Sequence, residues 1–328
     1  MKKILIISLG AIAKRHIRNL KEIDSDLQIG VLRRKEADVD PEVRKHIDEY
    51  FYNWEDALSW QPAGAVICSP ASCHLEQILK LAQKQIPMVV EKPLSYNNSG
   101  LQQLLKLYRE QPQLCIMVAY QFRFYTPLIE FKKRLHVGEI GRVISIDIEV
   151  GQYLPEWRPG REVSETVSAS KELGGGVLLE LSHEFDYLNY LFGMPTEVMS
   201  FHGTFGDMNI DVEDLAEVLL SYEDKIARVH VDMLQRSVSR KCKVIGTEGN
   251  LELDFIKQTI TYFGGGYESV TEYPLCEYAR MYKSEMELFL KFLDKEVEPQ
   301  DYLSSAVEVM DLIEALRESA LKKQVVCL

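Results

Sequence analysis

The chain has 328 residues, is 46% apolar and carries a formal net charge of −12. A single core stops growing at roughly 250 to 300 residues, so this length predicts two domains. The acidic balance excludes nucleic acid as a partner, because phosphate binding takes a basic surface that releases counterions, and no run approaches the roughly 20 apolar residues needed to cross a bilayer.

At the N-terminus, Lys2-Lys3 and the apolar run Ile4 to Ala13 imitate a secretory signal. The run is too short, however, and passes directly into the basic segment Lys14 to Leu20, so a cytoplasmic protein is expected. Cys68, Cys73, Cys115, Cys242, Cys276 and Cys327 are scattered without a Cys-x-x-Cys pair, which suits reduced core thiols better than disulfides or a zinc site. Lys3 to Ser8 reads as a buried strand, and Ala13, Ile17, Leu20 and Ile23 mark one face of a helix behind it. Leu27 to Arg33 forms a second strand. Strand, glycine turn, helix and strand within about 30 residues is the unit that seats a dinucleotide pyrophosphate on a helix N-terminus.

The turn Ser8-Leu9-Gly10-Ala11-Ile12-Ala13 keeps only the middle glycine of the usual fingerprint. Gly10 is the place where backbone approaches the pyrophosphate, while Ser8 and Ala13 are small replacements at the tight turn and the helix-strand contact. A βα turn without any ligand would read the same way. Arg33-Arg34 end the second strand, where an NAD site carries an acid for the ribose hydroxyl. Two guanidinium groups suit a 2′-phosphate and favour NADP over NAD, unless they simply end a strand in solvent.

Gly64 to Cys68 is another buried strand, followed by Ser69-Pro70 and a helix with Leu75, Ile78, Leu79 and Ala82 on its apolar face. The run Pro87 to Val90 then stops abruptly at Glu91-Lys92-Pro93. Open parallel sheets bind ligands at the carboxyl ends of their strands, so Lys92 can reach a cofactor or substrate; a solvated strand exit is the plain alternative. A helix from Gly100 to Arg109 and a strand from Leu114 to Tyr120 complete a doubly wound parallel sheet, giving a dinucleotide-binding domain over residues 1–121.

Residues 122–328 change rhythm and predict an α/β domain for substrate binding and oligomerisation. A helix over Thr126 to Val137 is capped by Gly138, and Arg142 to Val150 alternates as a strand. The long loop Gly151 to Leu173 holds Trp157-Arg158-Pro159-Gly160-Arg161, and its aromatic and arginine content argues for function. Gly174-Gly175-Gly176 opens a helix to Phe192, on which Glu180, His183, Glu184 and Tyr187 share a face and Asp186 lies three beyond His183. Carboxylate and imidazole there can form a proton-transfer pair; His183 could equally be a core histidine, and no third ligand completes a metal site. Strands at Thr196 to Phe205, Leu215 to Ser221, Ile226 to Leu234, Lys241 to Ile245 and Asn250 to Phe255 follow without intervening helices, so the sheet is large, open and mostly antiparallel. Helices over Arg280 to Leu293 and Ser304 to Lys323 close the chain.

Taken in order, these motifs resemble the Gfo/Idh/MocA family of NAD(P)-dependent oxidoreductases over nearly the whole length. They are Leu9-Gly10-Ala11-Ile12, Ser69-Pro70 with His74, Glu91-Lys92-Pro93, Ala119 to Phe124, Trp157-Arg158, and Gly174 to Gly176 leading to Glu180, His183 and Asp186. The stretches Leu154 to Gly160 and Ser168 to Asp186 look most like members acting on acylated amino sugars or in nonulosonic-acid pathways. The resemblance implies that Lys92 contacts both nicotinamide and the reacting hydroxyl, that His183 is the acid/base with Glu180 beside it, and that Trp157 and Arg158 lie where nicotinamide and substrate meet. It places Leu9 to Ile12, Arg33, Arg34, Ser69, Pro70, His74 and Glu91 on the cofactor, and Arg123, Tyr153, His183 and Asp186 on the substrate. The chain departs from the family pattern at Ser8 and Ala13, at Glu180 where Asp is usual, and in a Glu180 to His183 interval one residue short.

The expected activity is therefore oxidation or reduction of a sugar, amino sugar or nucleotide sugar by a homodimer or homotetramer. The alternatives are a redox-neutral lyase or glycosidase that retains NAD, and a non-catalytic dinucleotide-binding sensor.

Overall fold

Short apolar runs, too brief for helices, form the first sheet: β1 (Lys3–Ile7), β2 (Gln28–Leu32), β3 (Glu49–Phe51), β4 (Gly64–Ile67), β5 (Met88–Val90) and β6 (Ile116–Val118). The computed structural model describes residues 1–36, 38–111, 113–275, 277–298 and 300–328; Cys276 lies outside them. The strands pair in parallel in the order β3-β2-β1-β4-β5-β6. This doubly wound order reverses between β1 and β4, the place where such sheets bind dinucleotides. Between the strands run α1 (Ala11–Ile23), α2 (Pro41–Arg44), α3 (Trp54–Ser59), α4 (His74–Ala82) and α5 (Leu101–Arg109). With helices on both faces, the strands bury every side chain of Ile4 to Ile6 and Met88 to Val90.

The buried side of α4 is His74, Ile78, Leu81 and Ala82, rotated from the expected face that included Leu75 and Leu79. His74 causes the rotation, because its ring is drawn inward onto two backbone carbonyls. The sequence reading also passed over β3 and α3. Asn53 starts α3 by accepting from Asp56 N–H at 2.9 Å, a side-chain cap that a three-residue strand had obscured.

The second sheet follows α6 (Thr126–His136). It contains β7 (Val143–Gly151) and, after α7 (Val177–Glu180) and α8 (His183–Phe192), the strands β8 (Glu197–Gly203), β9 (Leu215–Ser221), β10 (Ile226–Asp232), β11 (Ser239–Gly246), β12 (Gly249–Asp254), β13 (Thr259–Gly264) and β14 (Tyr267–Glu272). Helices α9 (Glu277–Leu293) and α10 (Tyr302–Lys322) precede a last strand, β15 (Val326–Cys327). The sheet order is β14-β13-β12-β11-β7-β10-β9-β8-β15, and the pairing of β7 with β10 is parallel in an otherwise antiparallel array. One face buries Ile146, Ile148, Ala227, Val229 and Val231, and the other carries Asp147, Glu149, Arg228 and His230.

One expectation about this region changes, and two features add to it. The helix expected from the glycines to Phe192 is broken at Leu181-Ser182, so Glu180 belongs to α7 and does not share a helix face with His183, Glu184 and Tyr187. The loop from Gly151 to Leu173 is organised into four single turns of 3-10 helix. The hairpin of β13 and β14 around Gly265-Gly266 was not anticipated, because all six residues of β14 are exposed and give no apolar alternation.

The chain forms two compact units, Met1–Gln121 with Ala279–Val307, and Phe122–Tyr278 with Glu308–Leu328. A split into 1–121 and 122–328 therefore misses the return of 279–307 to the first unit. Gly64 shows the reason: a Cβ there would come within 2.8 Å of Phe289 and 2.9 Å of Leu293, so the bare backbone of β4 admits α9 against the sheet.

Candidate active site

In the first unit the dinucleotide turn keeps its shape with one glycine. Ser8 takes the left-handed conformation at φ +74°, a strain of roughly 1–2 kcal/mol for a residue with a Cβ. Ala13 is fully buried at the helix-strand contact. At Gly10 a Cβ would meet nothing within 4 Å among the described residues beyond its chain neighbours, so the space where a ligand would approach is open there. Gly10 is also the N-cap of the 13-residue α1, and as a glycine it brings no side chain of its own to cap it. The N–H groups of Ala11 and Ile12 open that helix from the carboxyl end of the central strand, with Leu9 just before them. This donor set fits a pyrophosphate. Arg33 and Arg34 stand at the end of β2; Arg33 N–H donates to Phe51 O at 3.0 Å, and the exposed Arg34 reaches Cys73 Sγ at 3.7 Å.

Glu91 and Lys92 leave the carboxyl end of β5, on the same edge of the parallel sheet as the Gly10 turn. Glu91 Oε1 lies 2.6 Å from Nε2 of the fully buried His16, which stands in the basic segment Lys14 to Leu20. Its signal was available: His16 stands three residues after Ala13 and four before Leu20, on the buried side of α1. Nearby, Glu285 is 1% exposed, and burial followed by the charge of Glu91 pushes its carboxyl well above the ordinary range. The same causes raise the buried Cys68 thiol. Ser69 donates to Gln77 Oε1 at 2.7 Å, and Pro70 precedes the 3-10 turn Ala71–Cys73. His74, expected on the cofactor, has both ring nitrogens on backbone, Nδ1 2.9 Å from Pro93 O and Nε2 2.8 Å from Ser69 O. Burial lowers its pKa against the pull of those carbonyls, and a neutral ring donates from only one of its nitrogens, so His74 makes its contacts within the protein.

In the second unit, His183 opens α8 and is 5% exposed. Its ring meets Phe122 edge-on, with centroids 5.1 Å apart. Phe122 also contacts Tyr125, Tyr187, Phe255 and Tyr278, forming an aromatic floor under the histidine. The stretch Gln121–Phe124 thus supplies the floor through Phe122 and a cation through Arg123. Arg123 and Asp186, both expected on the substrate, bind each other through two hydrogen bonds of 2.6 and 3.1 Å. Burial pushes the Asp186 carboxyl up to about 6, although Arg123 pulls it down.

Fully buried Glu184 pairs with Arg240 at 3.0 Å, and Arg240 also donates to Tyr278 Oη at 3.0 Å. Burial opposes the Arg240 charge, but Glu184, Tyr278 and Tyr187 together outweigh it and raise the guanidinium pKa. No sequence signal linked these two, which are 56 residues apart on different elements. Glu180 is half-buried on α7.

Tyr153 lines a cavity of about 540 Å³ with Glu162, Ser164, Asp207, Asn209 and Arg236, whose guanidinium lies 3.4 Å over the Tyr153 ring. Trp157 Nε1 donates to Gln152 O at 3.1 Å, and Arg158 is exposed. Lys92 and His183 belong to different units. Among the described residues, no cluster of His, Cys, Asp and Glu is arranged to hold a metal, and no helix is long and apolar enough to cross a membrane.

Comparison with known proteins agrees with both units. Residues 2–120 match the model of an oxidoreductase family with an NAD-binding Rossmann fold, and residues 128–252 match the GFO/IDH/MocA C-terminal domain. Myo-inositol 2-dehydrogenase of Thermotoga maritima is 23% identical over 270 residues, 78% of this chain and 76% of that protein. The 2,7-anhydro-N-acetylneuraminate hydratase of Mediterraneibacter gnavus is 25% identical over 194 residues, 57% of this chain and 48% of that protein. A levoglucosan dehydrogenase, solved with NADH and levoglucosan, shares the fold at a TM-score of 0.85 and 17% identity, over 99% of each chain. With both its Rossmann and its C-terminal domain matched, the chain belongs to the GFO/IDH/MocA family of NAD-binding oxidoreductases.

Proposed function

We propose that the protein is a sugar dehydrogenase or reductase in which Lys92 and His183 handle the reacting oxygen and its proton. The observation that carries this is Lys92 at the carboxyl end of β5, on the edge of the parallel sheet that also bears the uncapped Gly10 turn. The Gly10 turn and the first turn of α1 would hold the pyrophosphate, and Arg33 and Arg34 favour a 2′-phosphate, hence NADP over NAD. When bound, the cofactor supplies a nicotinamide that exchanges a hydride. Lys92 stabilises charge on the substrate oxygen, and His183, set on its aromatic floor, takes or returns the hydroxyl proton.

A sugar substrate is supported by the named activities of the relatives, inositol and levoglucosan oxidation among them. The relative that hydrates an anhydro sugar acid favours the second reading, redox-neutral chemistry with retained cofactor, and fits the likeness to nonulosonic-acid enzymes. Buried thiols at Cys68, Cys115 and Cys242, none in a disulfide, support a cytoplasmic setting. A homodimer or homotetramer is supported by the uncovered sheet face, where Phe201, Leu219 and Ile226 are 52–59% exposed.

The test begins with mass spectrometry of the copurified cofactor. Inositols, hexosamines, anhydro sugars and nucleotide sugars are then followed at the nicotinamide absorbance. Stoichiometric NAD(P)H production supports the dehydrogenase. Product without net cofactor change supports the redox-neutral reading, and binding without turnover on any sugar supports the sensor.

A further inference from the structure

The residues on either side of Lys92 are each fixed by a buried histidine from a different helix. Before it, Glu91 Oε1 meets His16 Nε2 of α1 at 2.6 Å. After it, Pro93 O lies 2.9 Å from His74 Nδ1 of α4, the contact that serves the turn when the single N–H of the neutral ring is on Nδ1, while Nε2 faces Ser69 O at 2.8 Å. The two histidines are 0% and 1% exposed, so neither contact is shared with solvent. His16 Nδ1 has no hydrogen-bond partner among the described residues, which assigns the ring proton to Nε2, donating to Glu91. Both oxygens of Glu285 likewise lack a partner among the described residues, and burial followed by the charge of Glu91 pushes its carboxyl well above the ordinary range.

We propose that His16 and His74 are positioning residues that clamp the Glu91-Lys92-Pro93 turn from both sides and fix where the Lys92 ammonium stands. A lysine at a solvated strand exit would spread over many rotamers, whereas holding the Glu91 side chain before it and the Pro93 carbonyl after it confines the turn from which its side chain starts. Misplacing a reacting group by about 1 Å can lower rate by about 10²-fold, so such a clamp has kinetic weight. Its catalytic consequence rests on the proposed role of Lys92; the clamp itself does not.

The test uses the full chain, reductively methylated with ¹³C-formaldehyde, with the Lys92 resonance assigned by its loss in Lys92→Met. A distinct Lys92 signal is expected in the native protein. It should collapse into the envelope of exposed lysines in His16→Leu and return in His16→Gln, whose amide can still donate to Glu91. A merely structural His16 would lower stability without moving this signal selectively. An unchanged Lys92 signal in folded His16→Leu overturns the clamp. If that variant does not fold, Glu91→Ala decides by the same criterion. Turnover on the best substrate of the sugar panel should fall about 10- to 100-fold in His16→Leu, with the calorimetric cofactor Kd unchanged. Because the NMR signal does not depend on chemistry at Lys92, full turnover in Lys92→Met would defeat the functional reading and leave the clamp standing.

Discussion

Asp186 receives both arms of the Arg123 fork, at 2.6 and 3.1 Å, one helical turn beyond His183 on α8. Asp186 is fully buried and Arg123 nearly so, hence removing one partner strands a charge away from water. Arg123→Met should destabilise the protein by about 3–5 kcal/mol, measured by denaturant unfolding. An Arg123 that served the substrate instead would leave stability near native and raise KM, and that result would remove the structural assignment.

Arg33 and Arg34 lead to an expected preference for NADP over NAD. Charge-assisted hydrogen bonds to a 2′-phosphate contribute about 1.5–3 kcal/mol each. Arg33→Ser with Arg34→Ser should therefore weaken NADP binding by about tenfold or more and leave NAD almost unchanged. Calorimetric titration of both cofactors checks it, and a native NAD affinity equal to or above that of NADP is the contrary outcome.

His230, on the uncovered face of the second sheet, stands between Asp232 Oδ2 at 2.9 Å and Glu217 Oε1 at 2.7 Å. The Asp232 hydrogen bond, against the penalty of burial and with help from Glu217, pushes the imidazole up to about 9. A folded-state pKa above the unfolded value means the charged imidazole stabilises the fold. That contribution is complete below about pH 6.5 and is lost as pH rises through 9, amounting to no more than about 3 kcal/mol. His230→Gln should flatten the fall in Tm between pH 6.5 and 9.5. An identical pH profile for native protein and variant would contradict the ion-pair reading.

The uncovered sheet face predicts self-association. Phe201, Leu219 and Ile226 lie on it in register with the Arg228 and His230 ladder, so apolar contacts are interleaved with charge. Light scattering at micromolar concentration should give a dimer or tetramer, and Leu219→Asp with Ile226→Asp should shift it toward monomer. A native monomer would contradict it.

Apart from the part-exposed edge strand β3, the first sheet was legible because parallel strands buried on both faces read as unbroken apolar runs, as in Val89-Val90 and Ile4 to Ile7. What escaped was set by tertiary contacts. His74 was expected on the cofactor, and its contact with Pro93, like that of His16 with Glu91, depends on chain far away in sequence. The break at Leu181-Ser182 escaped because Leu178, Leu179, Phe185 and Leu188 keep a helical spacing across it. Arg123 and Asp186 were recognised as functional candidates, yet only the fold shows that each is the other's partner. The glycine fingerprint was weak at Ser8 because a serine held at φ +74° does the work of the missing glycine.

Turnover of folded Lys92→Met, measured from pH 5 to 9 beside His183→Asn, tests the catalytic account most directly. Lys92→Met keeps much of the stem and removes the ammonium, so kcat should fall by about 10²-fold or more while the cofactor Kd, set at the Gly10 turn, holds. His183→Asn should lower kcat by about 10²- to 10⁴-fold and remove the pH dependence an imidazole imposes. Near-native turnover in Lys92→Met would contradict the account and favour a dinucleotide-binding sensor.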